Sequence, residues 1–162
     1  MAIPQRLSDY LSRHLPEAAG IDIVAHRHSG CSAVSARAAG VPAQQLAKAV
    51  VLEDDAGCLL ALVPADRSVH LGRLAQRLQR GQLHLADESR LAAMFDGCEA
   101  GAVPSLGMPW GISTVVDDAL EACDPVYLES GDHERLLRLT HAQFHALMQA
   151  LPHGAFSGAR VH

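Results

Sequence analysis

One lysine stands among thirteen basic side chains, and the other twelve are arginine. It is Lys48, inside Gln45-Leu46-Ala47-Lys48-Ala49-Val50-Val51-Leu52, so a single ammonium sits at the mouth of an apolar run. Lysine is a compact point charge on a flexible stem, not a substitute for the planar arginine fork. Burying it is costly unless it is paired or loses its proton. Such a group suits an anionic or carbonyl-bearing ligand. The plainer alternative is a lysine whose stem lies on apolar surface with its head in water.

A second candidate is the glycine loop Asp96-Gly97-Cys98-Glu99-Ala100-Gly101-Ala102-Val103-Pro104-Ser105-Leu106-Gly107. Glycine lets backbone approach a ligand closely, and exposed N–H groups can hold a carbonyl oxygen or a developing oxyanion. The alternative is a plain long connection, although long loops in compact domains are often functional. Arg73, Arg77 and Arg80 recur at helical spacing, which reads either as a solvated helix face or as a few phosphate contacts for an RNA end. His26, His28 and Cys31 lie close together, but no second ligand cluster accompanies them, so no metal site is expected. Cys31 is the one cysteine flanked by histidine and glycine, yet no partner base is evident for it. No Gly-x-Ser-x-Gly elbow occurs.

These residues need a scaffold. At 162 residues, 49% apolar and 19% charged, the chain is expected to form one domain over 1–151 with a flexible tail over 152–162. The net charge of −5 argues against non-specific binding along a nucleic-acid backbone. The four cysteines form no C-x-x-C pair and read as reduced thiols. No apolar stretch approaches a membrane span and the start lacks a signal pattern, so a cytoplasmic protein is expected.

Leu7, Tyr10, Leu11 and Leu15 predict a helix over 4–15. A strand follows over 21–25, then an alanine-rich helix from Ser32 to Ala39 closed by Gly40, then a short helix from Pro42 through Ala47. Runs 48–52 and 58–63 flank Asp54-Asp55-Ala56-Gly57 and predict a hairpin. Leu71 to Leu78 is helical, and Asp87 caps a helix through Met94. Residues 112–116, 126–129 and 136–139 read as strands. Thr140-His141-Ala142-Gln143 is a capping-box pattern opening a helix through about Leu151. The irregular alternation predicts a mixed α+β domain with a largely antiparallel sheet flanked by helices.

Lys48 after Gln-Leu-Ala, the hairpin, the Glu99-x-Gly101-Ala102-Val103-Pro104 loop, the Asp117 strand end and Gly131-Asp132-His133 follow one another in a definite order. That order resembles the YbaK and prolyl-tRNA synthetase-associated editing domain family, from about His26 to Met148. The resemblance implies a mixed α/β domain that hydrolyses the ester joining a wrong amino acid to tRNA. It places the functional lysine on Lys48, the glycine loop on Gly101 and the residues after it, and a histidine on His133. It also implies a tRNA acceptor end as partner, with association with a synthetase a further expectation, and no cofactor. Two departures stand out: Ser105 occupies the place of the proline in the family's Gly-x-x-x-Pro loop, and Ala49 follows the lysine where threonine is frequent.

The expected reaction is deacylation of a mischarged tRNA carrying a small amino acid such as alanine or cysteine, on tRNA(Pro) or a related tRNA. An aminoacyl ester is already activated, so the protein must position a water and stabilise the oxyanion. Lys48 is assigned to the terminal phosphate or the reacting carboxyl region. Backbone N–H groups over 101–103 are assigned to the carbonyl oxygen, with Pro104, Ser105 and His133 completing the substrate site. Val50, Leu52 and Ala102 would limit its size. No general base is evident, and a vicinal ribose hydroxyl would help activate the water. The competing readings are a module that binds the acceptor end without hydrolysis and a domain whose glycine loop docks a protein.

Overall fold

The computed structural model describes residues 3–15, 21–29, 31–99 and 102–159. The first half runs α1 (Gln5–His14), β1 (Asp22–Ala25), α2 (Ser32–Ala39), β2 (Leu46–Asp54), β3 (Gly57–Pro64), β4 (Arg67–Val69) and α3 (Leu71–Leu78). The second half runs β5 (His84–Leu85), α4 (Glu88–Met94), β6 (Ser113–Asp117), α5 (Asp118–Glu121), β7 (Val126–Glu129), β8 (Arg135–Leu139), α6 (His141–Met148), β9 (His153–Gly154) and β10 (Ser157–Ala159).

The main sheet has the order β1-β8-β7-β2-β3-β6-β9, with β5 pairing the far end of β2. Antiparallel pairs β1/β8, β7/β8, β2/β3 and β2/β5 are joined through parallel seams β2/β7, β3/β6 and β6/β9. The expected mixed fold is present, with the antiparallel hairpins stitched edge to edge by parallel contacts. β3 is buried almost throughout, as a central strand covered on both faces should be. On one face Ala47, Val51, Leu60, Leu62 and Val116 pack beneath Leu7 and Leu11 of α1 and Phe144 and Met148 of α6. On the other, Leu52, Leu59, Ala61, Val63 and Val115 pack beneath Leu74 of α3 and Phe156. Ala36 of α2 closes a smaller patch with Leu46, Ala65 and Leu136. Among the described residues no helix is long and apolar enough to cross a membrane.

Local signals worked where one residue decides the boundary. Gly40 adopts the left-handed conformation that ends α2, and the Asp87 side chain accepts from Ser89 N–H at the start of α4. The capping box of Thr140 and Gln143 is formed at α6. Three expectations fail on tertiary contacts. After Pro42 only a 3-10 turn forms over Ala43–Gln45, because Leu46 and Ala47 are drawn into β2 opposite Tyr127 and Leu128. The last helix stops at Met148, short of Leu151. Residues 153–159, expected to fray, instead form β9 against β6 and β10 against β4. Phe156 is fully buried there, which supplies the apolar anchor that a small-residue tail lacks by composition.

Candidate active site at the parting of two strands

β2 and β7 run parallel for two residue pairs, Leu46 with Tyr127 and Ala47 with Leu128, and then part. Continuing the register one step sets Lys48 opposite Glu129, on one face of the sheet. The gap is filled by Ser105. Its hydroxyl donates to the Ala47 carbonyl at 2.7 Å and accepts from Glu129 N–H at 2.8 Å, while its own N–H donates to the Glu129 carbonyl at 3.0 Å. Ser105 is fully buried. A proline here would lose the N–H and both hydroxyl bonds. The departure from the family loop is thus a hydroxyl clip between the two strands that carry Lys48 and Glu129. Ser105→Ala leaves a carbonyl and an N–H buried and unpaired, a cost on the order of 2 kcal/mol. Urea unfolding should show a lower midpoint for Ser105→Ala and a still lower one for Ser105→Pro; an unchanged midpoint in both would mean that the clip contributes nothing.

Beside the clip opens a pocket of about 140 Å³, lined by residues from α2, β2, the glycine loop and the β7–β8 turn. Its walls include Ser32, Ala49, Ala102, Val103, Glu129 and His133. Glu129 is the group the sequence reading missed. Its carboxylate accepts from Ser32 Oγ at 3.1 Å, and Ser32 is its hydrogen-bond partner among the described residues. Burial lifts its pKa to about 7, against the opposing pull of the Ser32 bond and of the charges on His133 and Lys48. A half-ionised carboxyl at neutral pH is what a proton-transferring group requires. The signal was present in Val126-Tyr127-Leu128-Glu129, where a lone acid closes an otherwise apolar strand.

The Lys48 ammonium donates to the Arg67 carbonyl at 2.6 Å. That carbonyl is fixed from behind. Arg67 Nε donates to Ser157 Oγ at 2.8 Å and Nη2 to the Ser157 carbonyl at 3.1 Å. Ser157 Oγ in turn donates to Asp117 Oδ2 at 2.7 Å, and Asp117 Oδ1 accepts from the N–H groups of Phe156 and Ser157. The presumed tail therefore forms the back of the lysine's support.

The turn after β7 holds His133. Asp132, almost fully buried, accepts from Ser130 Oγ and from the N–H groups of Glu134 and Arg135, and pairs with the Arg135 guanidinium. Burial opposes its charge, but these bonds hold its carboxyl below the usual range. Gly131 has φ +98°, and a Cβ there would meet Cys98 Sγ at 2.7 Å, so glycine is required. His133 itself has φ 62°, uncommon for a side-chain-bearing residue and a mark of a constrained site. Its Nδ1 lies 2.9 Å from the Ser29 carbonyl.

The other expectations divide. Gly101 lies outside the described residues. Ala102 and Val103 reach the pocket, while Pro104 is buried outside its wall. The Ala102 N–H donates to the Glu99 carbonyl at 2.9 Å. Val103 N–H has no hydrogen-bond partner among the described residues. Neither Lys48 nor Val50 joins the pocket wall: strand alternation sets both on the face of Leu52, where Val50 packs in the core beneath α3, and Ala49 takes the place in the wall. The arginine stripe is largely engaged in the fold. Arg80 grips Asp54 at 2.7 and 2.5 Å and holds its carboxyl well below the usual range, and Arg77 Nε donates to the His153 carbonyl at 2.9 Å. Arg73 remains exposed on α3, away from the pocket wall. His26 and Cys31 line the pocket, and among the described residues no group of three metal-ligating side chains is assembled. Burial, with Asp96 and Asp132 nearby, pushes the Cys98 thiol up to about 12, so it is no nucleophile.

Comparison with known proteins agrees with this architecture. A family model described as an aminoacyl-tRNA editing domain matches residues 28–147. No curated protein sequence matches the chain. Among solved structures, a candidate trans-editing enzyme for prolyl-tRNA synthetase superposes with a TM-score of 0.78 at 20% identity, covering 96% of both chains. A hypothetical protein superposes with a TM-score of 0.79 at 18% identity, covering 95% of this chain and 100% of the other. A protein from Marinobacter aquaeolei VT8, titled as a candidate signal-transduction protein, gives 0.72 at 23% identity; 96% of this chain matches 31% of that one. At these identities the structural likeness shows the fold.

Proposed function

The chain belongs to the aminoacyl-tRNA editing domain family, and from that premise we propose that it hydrolyses, in trans, the ester between a mismatched small amino acid and the 3′ end of its tRNA. One observation carries the reading: Glu129 and residues 102–103 line one pocket beside the parting of β2 and β7, and the charge of Lys48 on β2 lowers the pKa of Glu129. Lys48 supplies the positive charge for the terminal phosphate or the reacting carboxyl group. The Val103 N–H is assigned to the ester carbonyl oxygen as it gains negative charge. His133, on the opposite wall, orients the ribose or the amino-acid end.

The pocket wall of Ala49, Ala102 and Val103 favours alanine or cysteine as the amino acid removed. Selection works by exclusion of larger side chains, since an extra methylene alters binding by only about 1–3 kcal/mol. tRNA(Pro) and its relatives are the carriers first to be tried. Purified protein should be mixed with a panel of tRNAs charged with alanine, cysteine, serine, valine, leucine and phenylalanine. The expected result is release of the smallest side chains well above the spontaneous rate, with leucine and phenylalanine left intact. Binding without release across the panel would reduce the protein to an acceptor-end binder.

A further inference from the structure

We propose that Glu129 is the general base of the reaction, taking the proton from the attacking water. This rests on the deacylase reading above. The carboxyl is set at the parting of β2 and β7 by two constraints that do not depend on each other. Its backbone is clipped on both sides by Ser105, and its side chain is oriented by Ser32 from α2 at 3.1 Å. It lines the same pocket as Val103. An acid held this way has no structural partner of opposite charge within salt-bridge distance among the described residues, unlike Asp54, Asp132 or Glu53.

In the step, the Glu129 carboxylate accepts one proton from water as the water oxygen bonds to the ester carbonyl carbon. The carbonyl π pair moves onto oxygen, where the Val103 N–H and the Lys48 ammonium stabilise it. Collapse re-forms the carbonyl and breaks the carbon–oxygen bond to the ribose. The departing ribose oxygen takes the proton back from Glu129. A free amino acid and an uncharged tRNA 3′ end leave, and the enzyme returns to its starting charge.

The groups facing Glu129 from each packed element are Lys48 of β2, Cys31 and Ser32 at the start of α2, His26 after β1, and His133 with Arg135 beyond β7. Arg135 is engaged by Asp132. Burial holds the carboxyl near pH 7, so the base form appears as pH rises through neutrality.

The test is the pH profile of kcat and KM for wild type, Glu129→Gln and Glu129→Asp on the panel member that wild type cleaves fastest, corrected for spontaneous hydrolysis. Wild type is expected to show kcat rising with unit slope and levelling above about pH 7. Glu129→Gln should lose about 10²–10⁴-fold in kcat with KM within threefold, and its profile should be flat over that range. Glu129→Asp should recover part of the rate and keep the rising limb, which a merely structural role would not restore. A Glu129→Gln profile with the same limb and undiminished kcat would overturn the proposal. So would a large rise in KM alone, which would make Glu129 an anchor for the substrate ammonium. If wild type cleaves nothing on the panel, the deacylase reading fails instead, and the two failures are thereby separate.

Discussion

Replacing Lys48 by alanine is expected to lower kcat/KM for deacylation at least about 100-fold, the usual cost of removing one charge that stabilises an oxyanion. The fold should survive, because the ammonium makes its bond to a backbone carbonyl of a neighbouring strand and the side chain is only half-buried. The loss should fall mostly on kcat if the charge acts on the reacting carboxyl region, and mostly on KM if it holds the terminal phosphate. Lys48→Arg should not rescue activity, since a planar fork cannot reproduce a compact ammonium bonded to the Arg67 carbonyl. A second consequence follows from the charge itself. Lys48 pulls the Glu129 pKa downward, so residual activity in Lys48→Ala should reach its plateau at higher pH than in wild type. Full activity in Lys48→Ala, measured by release of labelled amino acid from charged tRNA, would remove the lysine from the mechanism.

Asp117→Ala is expected to produce the largest loss of stability of any single change considered, about 3–5 kcal/mol. The carboxylate is nearly fully buried and accepts from the N–H groups of Phe156, Ser157 and Ala119 and from Ser157 Oγ. Removing it orphans buried donors at once, and it frees the strand that carries Phe156 into the core. For a chain of this length the melting temperature should fall by roughly 10 °C or more. Activity should suffer before unfolding, because Ser157 braces Arg67 and the Arg67 carbonyl receives Lys48. Thermal melts and assays well below the transition separate the two effects. An unchanged melting temperature would show that residues 153–159 contribute little, contrary to the packing of Phe156.

That segment illustrates what the sequence could and could not reveal. Caps, turns and periodic helices were legible because each depends on a few neighbouring residues: Gly40, Asp87 and Thr140 announce their boundaries. The Pro-His-Gly-Ala-Phe-Ser-Gly stretch carries no such signal, since its order comes from Asp117, some forty residues away. Lys48 was legible by its isolation in an arginine-rich chain. Glu129 showed only as a lone acid closing an apolar strand, because its significance lies in register: the pairing of Ala47 with Leu128 sets it opposite Lys48. Ser105 was visible as a departure from the family loop, but its role as a clip needed the parted strands to be seen. The arginine periodicity along and just after α3 was real, but it did not foretell that Asp54 and the His153 carbonyl take up Arg80 and Arg77. Periodicity reports a face and not what lies across from it.

The central claim is that the pocket beside the parted strands receives the aminoacyl ester. It is tested most directly by a crystal structure with a non-hydrolysable 3′-aminoacylamino-adenosine carrying alanine. The expected result is the alanyl methyl group against Ala49 and Val103, the amide oxygen near the Val103 N–H and Lys48, and Glu129 on the open side of the carbonyl carbon. Density for the analogue on the exposed arginine face of α3, with the pocket left unchanged, would contradict the account.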